Sequence, residues 1–179
     1  ILVLLLTTLL SAAGASVMLM TDMDVLAGAN HRDAVEVTYA AEAVAEYAVH
    51  RLAGQSDWSS ALQGGAGLIM SGSLALPAAA GGGLVDLVAQ TTEVQRAAYG
   101  SGGWGPDTPR WQVFGHGVPG RDLPISGMSP DVYAFVWVSD DVTEDDGLAT
   151  VDANGTVVVR ARAFGRRGSR CDVQIVVAR

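Results

Sequence analysis

Lysine is absent from this chain, cysteine occurs once, and the first 21 residues carry no formally charged side chain. With Cys171 alone, no disulfide can form within the chain, and cysteine-rich metal sites are excluded. An exported domain built this way must hold itself together by packing, and the lone thiol reads as a small buried hydrophobe. All eleven basic residues are arginine, a pattern that reads as GC-rich coding. The net charge of −8 and sequence pI near 4.6 argue against nucleic acid as a partner, because phosphate binding needs a basic face. No G-x-S-x-G elbow, H-E-x-x-H pair or Cys–His arrangement occurs, so no nucleophile–base pair supports an enzyme. His31 and His50 are about five helical turns apart and cannot share a metal within one chain. Both, and His116, are read as solvated.

What the chain does have is a long apolar start. Ile1 to Thr21 on a helix would reach about 31 Å, the thickness of a bilayer's hydrocarbon core, before Asp22 and Asp24 arrive. Two readings compete for it. Ile1–Leu10 with Ala13-Gly14-Ala15 has the form of a secretory signal and cleavage site. Against that, hydrophobicity resumes at once with Val17-Met18-Leu19-Met20, which a mature soluble terminus would leave bare. The retained anchor is the reading preferred, with Ile1, Leu2, Val3, Leu4, Leu5, Leu6, Leu9, Leu10, Val17 and Leu19 as its packing surface. No basic flank fixes its orientation. The first charges past it are acidic, which does not oppose a head outside the cytoplasm.

The helical pattern continues through residues 22–53. Val37, Ala40, Ala41, Val44, Tyr47, Ala48 and Leu52 fall on one stripe at three-and-four spacing, while Glu42, Glu46 and Arg51 fall largely elsewhere. Val37, Ala41, Val44, Tyr47 and Ala48 are expected to pack against the head, and Gly54 to stop the helix. The chain divides into a helix over 1–53 (1–21 apolar, 22–53 amphipathic) and a head over 54–179.

Three segments of the head read as strands. In Val132–Val138, Tyr133, Phe135 and Trp137 share one face and Val132, Ala134, Val136 and Val138 the other, as in a central strand covered on both sides. Residues 156–163 alternate Val157, Val159, Ala161 and Ala163 against Thr156, Arg160 and Arg162. In 171–177, Val173, Ile175 and Val177 point inward and Asp172 and Gln174 outward. Gly165-Arg166-Arg167-Gly168 joins the last two as an antiparallel hairpin. A short helix is expected over Leu84–Ala98. Helix first and antiparallel strands last gives an α+β layer pair, a long N-terminal helix on a C-terminal sheet.

The remaining motifs are weak. Gly100-x-Gly102-x-x-Gly105 and Gly115-x-Gly117-x-x-Gly120 match the dinucleotide fingerprint, but Pro106 and Pro119 oppose a helix opening at the glycines, and both read as loops. The acidic run Asp140, Asp141, Glu144, Asp145 and Asp146 is oxygen-rich enough for calcium, although its spacing does not fit the EF-hand. The simpler reading is a solvated loop joining two strands. Asn154-Gly155-Thr156 reads as a turn. Trp104 to Trp111, with two Pro and an Arg, reads as a rigid loop covering the core, with a carbohydrate or partner platform as its functional alternative.

Three segments carry a family resemblance: Leu4-Leu-Leu-Thr-Thr-Leu-Leu-Ser11, Ala27-Gly-Ala-Asn30-His-Arg32-Asp33, and Tyr39-Ala-Ala-Glu42-Ala43. Together they resemble the PilX-type minor pilins of bacterial type IV pili over about 50 residues. Trp104–Trp111, Val136–Asp141 and Ala161–Gly165 look like heads of some members. The resemblance implies a non-enzymatic filament subunit with a pilin-like fold, removal of a short leader, residence in the inner membrane with a periplasmic head, and later packing beside other pilin subunits in an extracellular filament. It brings no catalytic residue and no cofactor. The family's usual Glu at the fifth mature position is Leu5 if Ile1 is the mature start, and the common head disulfide is missing. The alternative from another class is an exported or membrane-anchored ligand-binding protein, stabilised by calcium at the acidic loop.

Overall fold

The computed structural model describes residues 1–179 except 65–67, 101, 102, 104, 106, 124, 126 and 145. Helix α1 runs without interruption over Leu2–Ala53. Its sequence is free of proline and rich in Ala and Leu, the residues that lose least on entering a helix. At ~1.5 Å per residue it is about 78 Å long. Four of the five hydroxyls in its apolar half bond within the helix. Thr7 donates to Leu4 O, Thr8 to Leu5 O, Ser16 to Ala12 O and Thr21 to Val17 O. These four therefore need no water, which lipid would not supply.

The helix ends where expected but by a different device. Gly54 has right-handed backbone angles, φ −82° and ψ −4°, rather than the left-handed cap that favours glycine. The closure comes from the chain that follows. The Trp58 indole donates to Leu52 O at 2.7 Å, and the Arg179 guanidinium lies 4.4 Å from the Trp58 ring centroid while donating to Ser56 O. The C-terminus thus locks the end of the first helix.

After α2 (Ser59–Leu62), the head contains β1 (Met70–Ser71), α3 (Leu87–Tyr99), β2 (Gln112–Gly117), α4 (Pro119–Asp122), β3 (Tyr133–Asp140), β4 (Thr156–Phe164) and β5 (Arg170–Ala178). The five strands form one sheet in chain order. Neighbours from β2 to β5 are antiparallel, and only β1 runs parallel to β2. The fold is α+β, with α1 laid on one face of a mostly antiparallel sheet.

Strand β3 is central and buried along its whole length. Its two faces go to two different helices. Val132, Ala134, Val136 and Val138, next to and along β3, join Val157, Val159, Ala161 and Ala163 against the α1 stripe. Tyr133, Phe135 and Trp137 face the other way, with Val158, Trp111 and Val94 of α3. Phe135 stacks on Trp137 with centroids 5.4 Å apart, and the Trp137 indole donates to the Thr91 hydroxyl of α3. The sheet is therefore a middle layer between the small-residue face of α1 and a shorter aromatic-backed helix.

That second cover corrects one sequence expectation. Arg162, placed on the polar side of β4, has no solvent exposure at all. Its guanidinium sits under α3, bonded to Asp172 through Nε (2.7 Å) and Nη2 (2.9 Å) and to Gln90 through Nη1. Glu93 is 3.2 Å away. The alternation holds, but the polar side of β4 is covered by α3 rather than by water.

The second glycine motif is not a loop either. Gly115–Gly117 lie on β2, and Pro119 occupies the first turn of α4, where its missing N–H costs nothing. The glycines serve close approach. A Cβ on Gly117 would fall 2.4 Å from Asp122 Oδ2, and one on Gly120 2.7 Å from Met128 O. Asp122 itself accepts from Val118 N at 2.7 Å, so a carboxylate of the chain already fills the place a phosphate would need. His116, expected to be solvated, is buried on this strand with Nδ1 3.2 Å from the Tyr133 hydroxyl. Burial holds its pKa below the ordinary value.

Candidate functional site

Three places carry chemistry: the bare half of α1, the acidic turn after β3, and a cleft beside α3.

Every large apolar side chain from Ile1 to Leu26 is open, from 56% exposed at Leu6 to 98% at Ile1. All ten residues assigned to anchor packing lie here: Ile1, Leu2, Val3, Leu4, Leu5, Leu6, Leu9, Leu10, Val17 and Leu19. The most apolar 18-residue window has a mean hydropathy of 2.2, and no part of it is buried. By length and composition this is one helix able to cross a membrane. An apolar surface this extensive does not stay in water; it belongs against lipid or another apolar surface. Burial on α1 begins at Asp33. Val37, Ala41, Val44 and Ala48 are in the core and Tyr47 packs on its rim. Between β4 and β5, the turn Arg166–Gly168 reaches the helix here. Arg167 pairs with Asp33 at 2.6 Å, and a Cβ on Gly165 would fall 2.2 Å from Val37 Cγ2. Small residues on both sides let backbone and helix meet.

The acidic turn is partly buried, not solvated. Asp140 and Asp141 at the end of β3 are 3% and 7% exposed. With Glu144 they present carboxylate oxygens within 4.8 Å of one another. Of the other two predicted ligands, Asp146 accepts from Leu148 N in a local turn, and Asp145 lies outside the described residues. Burial, then hydrogen bonding and repulsion from Glu144, raises the Asp140 pKa far above the carboxylate range. Asp141 goes the other way. Burial opposes its ionisation, but hydrogen bonds from Thr143 and Asn154 outweigh it and lower its pKa. Glu144 Oε1 accepts from the backbone N–H groups of Ala153 and Asn154, and its Oε2 is buried without a donor. The trio can be relieved by a proton on Asp140 or by a hard divalent cation bridging the oxygens. The sequence run pointed to this turn; which carboxylates converge depends on Asn154 folding back from the start of β4.

The cleft was not anticipated. Its volume is about 650 Å³, between the second half of α3 and the segment leading into β2. Gln95 fixes the two walls together, donating to Pro109 O at 2.9 Å and accepting from Trp111 N at 3.0 Å. Thr92, Arg96 and Tyr99 face it from the helix, Arg110 and Trp111 from the opposite wall. The Trp104–Trp111 segment was singled out, but its role divides. Trp111 is buried in the aromatic core, whereas Trp104 lies outside the described residues. Nothing in the local sequence joins Arg96 to Arg110; the Gln95 clamp does.

A second groove, of about 550 Å³, runs along α1 past Glu36, Tyr39, Glu42 and Glu46 to Met128 and Ser129. His31 and His50 are exposed on the same helix. Cys171 is free and half-buried at the core's edge. No protein-family model, no curated protein and no solved structure matches the chain.

Proposed function

We propose that this chain is a non-enzymatic structural subunit of a type IV pilus or related filament, a minor pilin or pseudopilin. Before assembly its N-terminal helix would sit in the bacterial inner membrane with the head in the periplasm. In the filament the same surface would pack against the corresponding helices of other subunits, and the heads would face outward. The observation that carries this reading is the single helix Leu2–Ala53, bare and apolar over its first half and clamped to a sheet over its second. An anchor that must leave lipid and enter a protein bundle needs one stiff element common to both. The residue resemblance at Leu4–Ser11, Ala27–Asp33 and Tyr39–Ala43 supports the same assignment.

Expression of the chain with and without residues 1–21 tests it. The longer form should fractionate with membranes, and with sheared filaments where the assembly machinery is present; the truncated form should do neither. A soluble product whose terminus has moved to near Ser16 would overturn the proposal, because the apolar run would then be a cleaved signal. A second reading, an anchored ligand-binding protein stabilised by calcium, is favoured by the three converging carboxylates. A head whose melting temperature is the same with calcium and with chelator would remove it.

A further inference from the structure

Nine of the eleven arginines lie beyond Gly54, and seven of these nine are ion-paired. Arg121 pairs with Asp122, Arg166 with Asp131 and Arg167 with Asp33. Arg160, Arg162 and Arg170 surround Asp172, and Arg179 reaches Asp152 at 4.0 Å. Among the described residues, only Arg96 and Arg110 in the head have no carboxylate partner. Both line the same cleft, one from each wall.

In a chain of net charge −8, the cleft gathers two guanidinium groups that no carboxylate neutralises. Among the described residues, no Asp or Glu lines the cleft. Several of its other polar groups are already engaged within the chain. Both ends of the Gln95 amide are used in the clamp, and the Thr91 and Thr92 hydroxyls donate to Leu87 O and Val88 O. Their hydroxyl protons are therefore not offered to a ligand. Trp111 is 3% exposed, and its indole N–H is buried with no acceptor. That N–H meets no solvent, so it is not offered to a ligand in the cleft. The donors left to a ligand are thus the two guanidinium forks. Planar forks of this kind match carboxylate and phosphate oxygens in pairs.

We propose that the cleft between α3 and the approach to β2 binds a small carboxylated or phosphorylated ligand through Arg96 and Arg110. At about 650 Å³ the cavity has the size of an ordinary small-molecule site. An acidic monosaccharide or a phosphate-bearing group would each fit this donor set. The site lies on the α3 side of the sheet, away from α1, so its occupancy does not depend on what covers the N-terminal helix.

The test uses the full chain in detergent micelles, titrated with glucuronate, inorganic phosphate or neutral glucose while tryptophan fluorescence and NMR shifts are followed. Saturable binding of glucuronate or of phosphate is expected, with glucose failing to saturate; whichever anion binds more tightly identifies the ligand's source. The double variant Arg96→Gln/Arg110→Gln should weaken that binding by about tenfold or more, the loss expected for charge-assisted hydrogen bonds. Because both side chains are exposed, its melting temperature should stay unchanged. Arg32→Gln/Arg51→Gln, on α1, should bind as the parent does. The proposal is overturned if neither anion binds, if glucose binds equally well, or if the α1 variant loses as much affinity as the cleft variant.

Discussion

The two halves of α1 are one secondary structure under opposite conditions. Over Leu2–Leu26 the helix exposes Leu, Val and Met along its length; over Val37–Leu52 one face is buried, built largely from Ala and Val. The larger apolar side chains are therefore on the half without a partner in the chain. Within a folded domain the reverse is usual, because large residues contribute most to burial. The difference indicates that the two halves have different solvents. The C-terminal half is shaped for a sheet that must come close, which small residues permit. Under the proposed function, the N-terminal half offers bulk to a medium that adapts to it, hydrocarbon before assembly and neighbouring helices after.

The sharpest way to break that comparison is to place the same charge in both halves. Val44→Asp puts a carboxylate in the fully buried seam against the sheet, and it should cost at least about 3 kcal/mol. The head should melt many degrees lower or fail to fold. Leu9→Asp should leave head melting where it was and reduce partition into membrane. Thermal denaturation in detergent, followed by near-ultraviolet circular dichroism, separates the outcomes. Equal losses of head stability would mean that the halves are not independent.

The opposite face of the sheet gives the next largest effect. Arg162→Met keeps the aliphatic length but removes the guanidinium from Asp172, Gln90 and Glu93. Breaking a buried pair costs about 3–5 kcal/mol in general. Arg160 and Arg170 remain near a partly exposed Asp172, so about 2 kcal/mol is expected here. The pH dependence follows from Asp172. Burial disfavours its charge, but its arginine hydrogen bonds win and hold its pKa well below the carboxylate range. A depressed carboxylate contributes stability above its unfolded pKa, near 3.9, and that contribution is lost as pH falls toward the folded value. Acid melting of the variant should therefore show a shallower slope below about pH 4.

How much of this was legible beforehand differs between the same regions. The apolar run, the α1 stripe and the two faces of β3 all follow from periodicity, and periodicity is local. The hairpin was marked by Gly165–Gly168. Strands β1 and β2 left no such trace. β1 has two residues, and β2 carries Gly115 and Gly117 where strands usually place β-branched residues, because Ile69 and Asp122 crowd those positions. The burial of Arg162 and His116 depends on α3 and on Tyr133, partners up to 72 residues away in sequence. The Arg96–Arg110 cleft was hidden for the same reason.

Asp140 sets a smaller effect of opposite sign to Asp172. Burial and Glu144 raise its pKa, so in the absence of a cation it should cost stability progressively as pH rises from about 4 toward that raised value. Asp140→Asn keeps an oxygen for the Asp141 N–H and removes the charge. The variant should gain on the order of 1 kcal/mol at pH 8 and lose the parent's alkaline decline. A variant less stable than the parent at pH 8 in chelator would show that the ionised carboxylate is needed there. The same measurement in calcium should reverse the order if the trio holds the ion, since the substitution removes a ligand.

The smallest effect falls on the boundary of the comparison itself. Asp33 is the first buried residue of α1, and Arg167, half exposed at the hairpin turn, is its partner. Arg167 is also the one described non-glycine residue with positive φ, at 54°. Arg167→Asn removes the ion pair while tolerating that backbone, so the conformational cost stays low. An ion pair this accessible contributes less than about 1 kcal/mol, and the melting temperature should move by no more than a few degrees. Amide exchange reads the local consequence. If the hairpin is what ends the bare half, protection around Asp33–Val37 should fall while Val44–Leu52 stays protected. Unchanged exchange at Asp33–Val37 would move the boundary deeper, to the contact between Gly165 and Val37, where shape rather than charge grips the helix.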